Sequence, residues 1–181
     1  LGQPTILLSV VGRDPFGAQI LERTASAGVD VSRVIITPEC HSAAYLTIFD
    51  NAGNKTYALD EMTTMRLVTP AYIRSHRALI ETATMLVLDA NLPQRAMDTA
   101  IKIARRYNVP VAVDPTSTTL APRLKKHLAD LALITPNLVE AEILCGHPLR
   151  GRTEAMLTAQ ELVALGVGIA VITLAEEGLC Y

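Results

Sequence analysis

Acidic, amide and hydroxyl side chains recur at four places where a short apolar run ends. The run 85–88 ends at Asp89-Ala90-Asn91, and the run 109–113 ends at Asp114-Pro115-Thr116-Ser117. The run 131–134 ends at Thr135-Pro136-Asn137, with Glu140 three residues later. The run 169–172 ends near Thr173, followed by Glu176, Glu177 and Gly178. One such end says little, because Asp and Asn cap helices. Four of the same kind point to a ligand site. Asp114 and Glu140 are hard oxygen ligands, suited to holding Mg²⁺ directly or through its waters. Helix N-termini after Asp114 and Thr135 offer backbone N–H groups to phosphates. Together these groups favour a phosphorylated nucleotide with Mg²⁺. Asn137 and Glu140 also have the spacing of a helix cap and a first-turn acid that complements the helix dipole.

The elements that must position these groups follow from hydrophobic periodicity. Residues 5–11 are a β-rich run closed by Gly12, a helix is expected at about 16–27 with Gly28 as its stop, and 31–37 is a second strand. Residues 44–49 and 55–59 are two β-rich runs flanking the polar loop 50–54, so 41–62 is a hairpin, read as a small flap over the main sheet or as an ordinary edge hairpin. From 70 onward the alternation is regular. Helices are expected at about 70–82, 94–107, 120–128, from 138, and 153–165, between strands at 85–88, 109–113, 131–134 and 169–174. Such spacing predicts βαβ units, right-handed crossovers and a mainly parallel sheet covered on both faces, an α/β fold. Ligands of such sheets bind beyond the carboxyl ends of the strands, where the polar groups collect.

Composition narrows the function classes. The chain has 181 residues, half of them hydrophobic and 19% charged, enough for a well-buried core and one domain. With 16 Lys and Arg against 18 Asp and Glu, no basic excess exists to drive nucleic-acid binding. No apolar run approaches the roughly 20 residues of a membrane span. Cys40, Cys145 and Cys180 show no Cys-x-x-Cys spacing, so reduced thiols and a cytoplasmic location are expected. His41, His76, His127 and His147 show no ligand spacing with each other or with the cysteines. There is no Gly-x-x-x-x-Gly-Lys-Ser/Thr, no Gly-x-Gly-x-x-Gly after a strand and no Gly-x-Ser-x-Gly, which disfavours P-loop, dinucleotide-binding and serine-hydrolase sites. Leu1 is not a Met and Tyr181 falls within a strand pattern, so the sequence reads as part of a longer chain.

Several segments, taken in order, resemble the ribokinase-like (PfkB) family of carbohydrate and nucleoside kinases. Gly12-Arg13-Asp14-Pro15-Phe16-Gly17 resembles its Gly-x-Asp-x-x-Gly segment, and the hairpin 41–62 resembles its β lid over the sugar. Thr135-Pro136-Asn137-Leu138-Val139-Glu140-Ala141 resembles its Pro-Asn-x-x-Glu-Ala motif, and 171–178 resembles the Thr-Leu-Gly-x-x-Gly that borders its ATP site. The resemblance implies a three-layer α/β/α ribokinase-like fold and ATP-dependent phosphorylation of a sugar hydroxyl with Mg²⁺. It implies that Asn137 and Glu140 organise Mg²⁺ and its waters, with Asp114, Thr173 and Gly178 on the nucleotide side. It places Asn91, Ala44 and Tyr45 against the sugar. Within the family the segments around 41–45, 58–62, 88–92 and 113–115 look most like pseudouridine kinases, with ribose, a hexose or adenosine as alternative substrates. A non-catalytic binding or regulatory protein on the same fold is the other alternative. The family's catalytic Gly-Ala-Gly-Asp would fall beyond Tyr181 and its Gly-rich sugar segment before Leu1, so these 181 residues alone are not expected to turn over. Ala175 stands where the family has glycine. Lid hairpins of the family often pair between subunits, which implies a homodimer.

Overall fold

A computed structural model describes residues 2–53, 55–149 and 151–181. Asn54 of the expected loop 50–54 lies outside them. The chain forms two compact units, Leu1–Val68 and Thr69–Tyr181.

In the first unit, β1 (Thr5–Ile6) pairs in parallel with β3 (Val29–Asp30), and β2 (Val10–Gly12) pairs in parallel with β4 (Ile35–Thr37). The single strands expected at 5–11 and 31–37 are thus each divided. The cause is a turn in the partner, where Val34 N donates to Val31 O at 3.0 Å, so regular pairing lapses between Leu7 and Ser9. Helix α1 (Pro15–Ser26) begins with Pro15 in its first turn and is capped by Asp14. Gly28 follows with φ 86°, the left-handed conformation that ends helices. The hairpin forms as expected from β5 (Ala44–Phe49) and β6 (Lys55–Glu61), antiparallel with a bulge between Ile48 and Phe49.

Asp14 ties the hairpin's root to α1. Its Oδ1 accepts from Gly17 N at 2.8 Å and Ser42 Oγ at 2.9 Å, and its Oδ2 accepts from Ser42 N at 2.7 Å. Ser42 Oγ accepts in turn from Gly12 N at 3.0 Å. Backbone N–H groups of Gly17 and Ser42 hold the Asp14 carboxyl down at about 2. Both motif glycines are needed for this close approach. A Cβ on Gly12 would sit 2.4 Å from Ser42 N, and one on Gly17 would sit 2.2 Å from Gly12 O.

The second unit contains α2 (Pro70–Ser75), α3 (Arg77–Glu81), β7 (Leu86–Asp89), α4 (Gln94–Arg106), β8 (Val111–Asp114), β9 (Leu133–Ile134), α5 (Leu138–Cys145), α6 (Arg152–Ala164), β10 (Ile169–Ala170), β11 (Ile172–Thr173) and β12 (Leu179–Cys180). Strands β10, β9, β8 and β7 form a parallel sheet in that order. Three consecutive buried residues, Val111, Ala112 and Val113, show that both faces are covered at β8. The crossovers pack side by side: α4 on the segment 121–130, that segment on α5, and α5 on α6.

Three expectations change in detail. The helix expected at 70–82 breaks at His76, whose Nδ1 lies 2.9 Å from Tyr72 O. Ala121–Asp130 is a 3₁₀ rather than an α-helix, with Pro122 in its first turn. The run 169–174 changes partner: β10 lies along β9, whereas β11 turns back against β12. Among the described residues no helix is long and apolar enough to cross a membrane.

Candidate functional site

Helix α5 begins with a complete capping box. Asn137 Oδ1 accepts from Glu140 N at 3.0 Å, and Glu140 Oε2 accepts from Asn137 N at 3.0 Å. Two of the helix's orphan donors are thereby satisfied, and the Glu140 carboxylate is held in place with only 4% of the residue exposed. The C-terminal end of β11 meets this helix start. Asn137 and Thr173 form an isolated parallel bridge, and Thr173 N donates to Pro136 O at 2.9 Å.

The ends of β7 and β8 are in register, Asp89 opposite Asp114, and their loops are bonded together. Ala90 N donates to Asp114 O and to Thr116 Oγ1, each at 3.1 Å. Asn91 N donates to Asp89 Oδ1 at 2.7 Å. Asp114 Oδ1 accepts from Thr116 N at 2.7 Å, while its Oδ2 accepts from Thr135 Oγ1 at 3.2 Å, linking the β8 end to the β9 end. Thr116 has φ 67°, a region that a β-branched residue rarely occupies. Strain of this kind costs on the order of 1–3 kcal/mol and concentrates at functional sites. Nothing in the residue types of 114–117 signals it.

Gly178 (φ 90°) closes the β11–β12 turn, with Leu174 N donating to Gly178 O at 2.8 Å. Ala175 adopts φ 51° in the same turn, the left-handed conformation for which glycine is suited. Thus Asp114 is hydrogen-bonded to Thr135, Asn137 to Glu140 and Thr173 to the Pro136–Asn137 backbone, the first pair joined to the rest by the covalent run Thr135-Pro136-Asn137, and Asn91 sits in the loop next to Asp114. Ala44 and Tyr45 lie at the start of β5 in the first unit, opposite Glu61 and Asp60. Tyr45, Leu46, Phe49, Tyr57 and Leu59 of the hairpin are each more than half exposed.

The donor set fits Mg²⁺ held through water better than a direct cage. Glu140 spends one oxygen on the cap, and a carboxylate has about four acceptor positions, so capacity for a metal-bound water remains. Both oxygens of Asp114 are engaged locally. Among the described residues the one group of three or more His, Cys, Asp or Glu with mutually close ligand atoms is Cys145, His147 and Glu161, within 4.8 Å. Neither Asp114 nor Glu140 belongs to it, and the expectation that no histidine lies at ligand spacing from a cysteine is corrected.

The fold that positions these groups is that of the ribokinase-like sugar kinases. Arabidopsis thaliana ribokinase, solved with ribose and ATP, superposes with a TM-score of 0.82 at 18% identity, covering 97% of this chain and 57% of that one. A carbohydrate kinase from Agrobacterium tumefaciens superposes with a TM-score of 0.80 at 27% identity, covering 95% of this chain and 54% of that one. The pfkB family of carbohydrate kinases matches residues 1–181, and the chain belongs to that family. It is 32% identical over 181 residues to the pseudouridine kinase of Escherichia coli (strain K12), covering 100% of this chain and 57% of that relative. The chain spans about half the length of the curated relatives it matches.

Proposed function

We propose that the whole protein phosphorylates a sugar hydroxyl of a nucleoside with ATP and Mg²⁺, pseudouridine being the leading substrate. The observation that carries this reading is the buried Glu140 carboxylate, fixed by its capping box at the strand-end edge beside Asn137 and Thr173. In this reading Glu140 and Asn137 orient the waters of Mg²⁺ at the transferring phosphate. Asp114, Thr173 and Gly178 border the nucleotide, with Asp114 also holding the β8 and β9 loop ends in place. Asn91 takes the sugar, and Ala44 and Tyr45 of the hairpin contribute to substrate contact. ATP supplies the phosphoryl group, and catalysis is chiefly positioning and charge stabilisation of an in-line transfer. The family resemblance assigns the base that takes the substrate hydroxyl proton to a Gly-Ala-Gly-Asp motif, which residues 1–181 do not contain. The exposed apolar side chains of β5 and β6 suit pairing with a second copy, and the assembly we propose is a homodimer in the cytoplasm. Nucleic acid and membrane are not among its partners.

The likeness to an Escherichia coli pseudouridine kinase supports pseudouridine over ribose, a hexose or adenosine. The test is the full-length protein with ATP, Mg²⁺ and a panel of pseudouridine, uridine, adenosine, ribose and fructose, read by ADP release. The highest kcat/KM is expected with pseudouridine. A preference for ribose or fructose would overturn the substrate assignment, and ADP release with none of them would favour a binding protein on the kinase fold.

A further inference from the structure

Away from the strand ends, a second group of side chains has no part in the kinase reading. Cys145 is the last residue of α5, Gly146 turns the chain with φ 86°, and His147 follows at once. Glu161 lies in α6, which packs against α5. Ligand atoms of Cys145, His147 and Glu161 all lie within 4.8 Å of one another, and His147 Nε2 is 2.7 Å from Glu161 Oε2. The loop is pinned from below, where Leu149 N donates to Glu142 Oε1 at 2.7 Å.

We propose that Cys145, His147 and Glu161 form a binding site for a divalent transition cation of the zinc class, separate from the Mg²⁺ of the kinase reaction. Bonds of about 2.0–2.3 Å in tetrahedral geometry place ligand atoms roughly 3.3–3.7 Å apart. The triad therefore closes on an ion through side-chain shifts of about 1 Å, within reach of rotamer adjustment. The His147–Glu161 hydrogen bond opens, and both groups turn their lone pairs to the metal. The thiol proton passes to solvent as the sulfur–metal bond forms. Burial, aided by the Glu161 carboxylate, pushes the free thiol up to about 11, so the metal must displace a firmly held proton.

The chemistry of the donors sets the choice of ion. Thiolate and imidazole favour zinc, cobalt and their neighbours, whereas Mg²⁺ prefers six oxygen ligands. Cys145 is partly buried while the His147 and Glu161 side chains are 45% and 41% exposed, so a fourth position is open to water or an incoming group. The ion would clip the C-terminal end of α5 to α6. Helix α5 starts at the Asn137–Glu140 cap, about 12 Å away along an axis rising about 1.5 Å per residue, so the clip braces the helix that presents Glu140.

The test is Co²⁺ titration of the metal-free, full-length protein in excess Mg²⁺, followed by absorption. The expected result is one equivalent of tightly bound Co²⁺ with a thiolate-to-cobalt charge-transfer band and intense four-coordinate visible bands. Cys145→Ser should abolish the charge-transfer band, and the exposed-site variant Glu161→Gln should weaken binding by about tenfold or more. Zn²⁺ should displace the Co²⁺ and raise the melting temperature of the wild type but not of Cys145→Ser. No saturable band in the wild type would overturn the proposal. So would a band that survives Cys145→Ser, which would place the thiolate at another cysteine. These readouts do not involve phosphoryl transfer and stand or fall independently of the kinase reading.

Discussion

Glu140→Gln separates the two jobs given to this side chain. Glutamine keeps an acceptor oxygen for the Asn137 N–H, now bonded at 3.0 Å, and nearly the same volume in a site that is only 4% exposed. What goes is the charge. A hydrogen bond to a charged group contributes about 1.5–3 kcal/mol and a neutral one about 0.5–1.5. The favourable interaction with the helix dipole adds about 0.3–1 kcal/mol. These terms overlap, and relief of carboxylate desolvation offsets part of them, so the expected loss of stability is about 1 kcal/mol. That is a drop of a few degrees in melting temperature. Turnover should fall far more, by about 10²–10³, the loss seen when one preorganised electrostatic group is removed from a transition-state site. The assay is ADP release across a Mg²⁺ titration, beside a thermal melt of the same full-length preparation. The half-saturating Mg²⁺ concentration should rise. Unchanged turnover with the same small drop in melting temperature would leave Glu140 as a helix cap and nothing more.

Gly17→Ala should destabilise by about 3 kcal/mol or more in thermal or urea melts, because its Cβ would meet the Gly12 carbonyl oxygen at 2.2 Å and backbone must move. A wild-type melt would mean that the α1 start relaxes freely. Ala175→Gly should stabilise by about 1 kcal/mol, since alanine holds φ 51° there and glycine pays no Cβ penalty. A lower melting temperature would refute left-handed strain in that turn. Acid sensitivity follows from two carboxylates. Burial opposes ionisation of Asp98, but hydrogen bonds from Lys126, Gln94 and His127 outweigh it and hold the group at about 2; Asp14 is also at about 2. Both folded values lie below the ordinary 3.8, so their contribution is fully present above about pH 4 and is lost as pH falls toward 2. Asp14→Asn and Asp98→Asn should each flatten the pH dependence of stability in that window, and an unaltered slope would show that the carboxylates are not held as described.

Much of this architecture is legible because local and global signals agree. The regular spacing of apolar runs from 70 onward yields the parallel sheet, and Asn137 with Glu140 three residues later yields the capping box. The hairpin is visible in its two β-rich runs around a polar loop. What escapes depends on a partner elsewhere in the chain. The run 5–11 loses regular pairing because the neighbouring strand turns at Val31 and Val34, and Val171 marks a change of partner rather than a change of composition. The Asp14–Ser42 tie spans 28 residues and the strained φ of Thr116 follows from bonds to Ala90 and Asp114, none of which has a local sequence signal. Cys145 and His147 are adjacent but for Gly146, yet Glu161 joins them only through the packing of α5 on α6. Residue types at the strand ends therefore point to a candidate site, while tertiary packing determines which of those residues are joined.

The most direct test of phosphoryl transfer follows a label from the γ-phosphate of ATP in the full-length protein with Mg²⁺ and pseudouridine. The predicted result is labelled phosphate ester of the mass of pseudouridine monophosphate, dependent on Mg²⁺ and strongly reduced in Glu140→Gln. ATP left at its background rate of hydrolysis, with no label on pseudouridine or on any sugar or nucleoside of the panel, would contradict the kinase assignment.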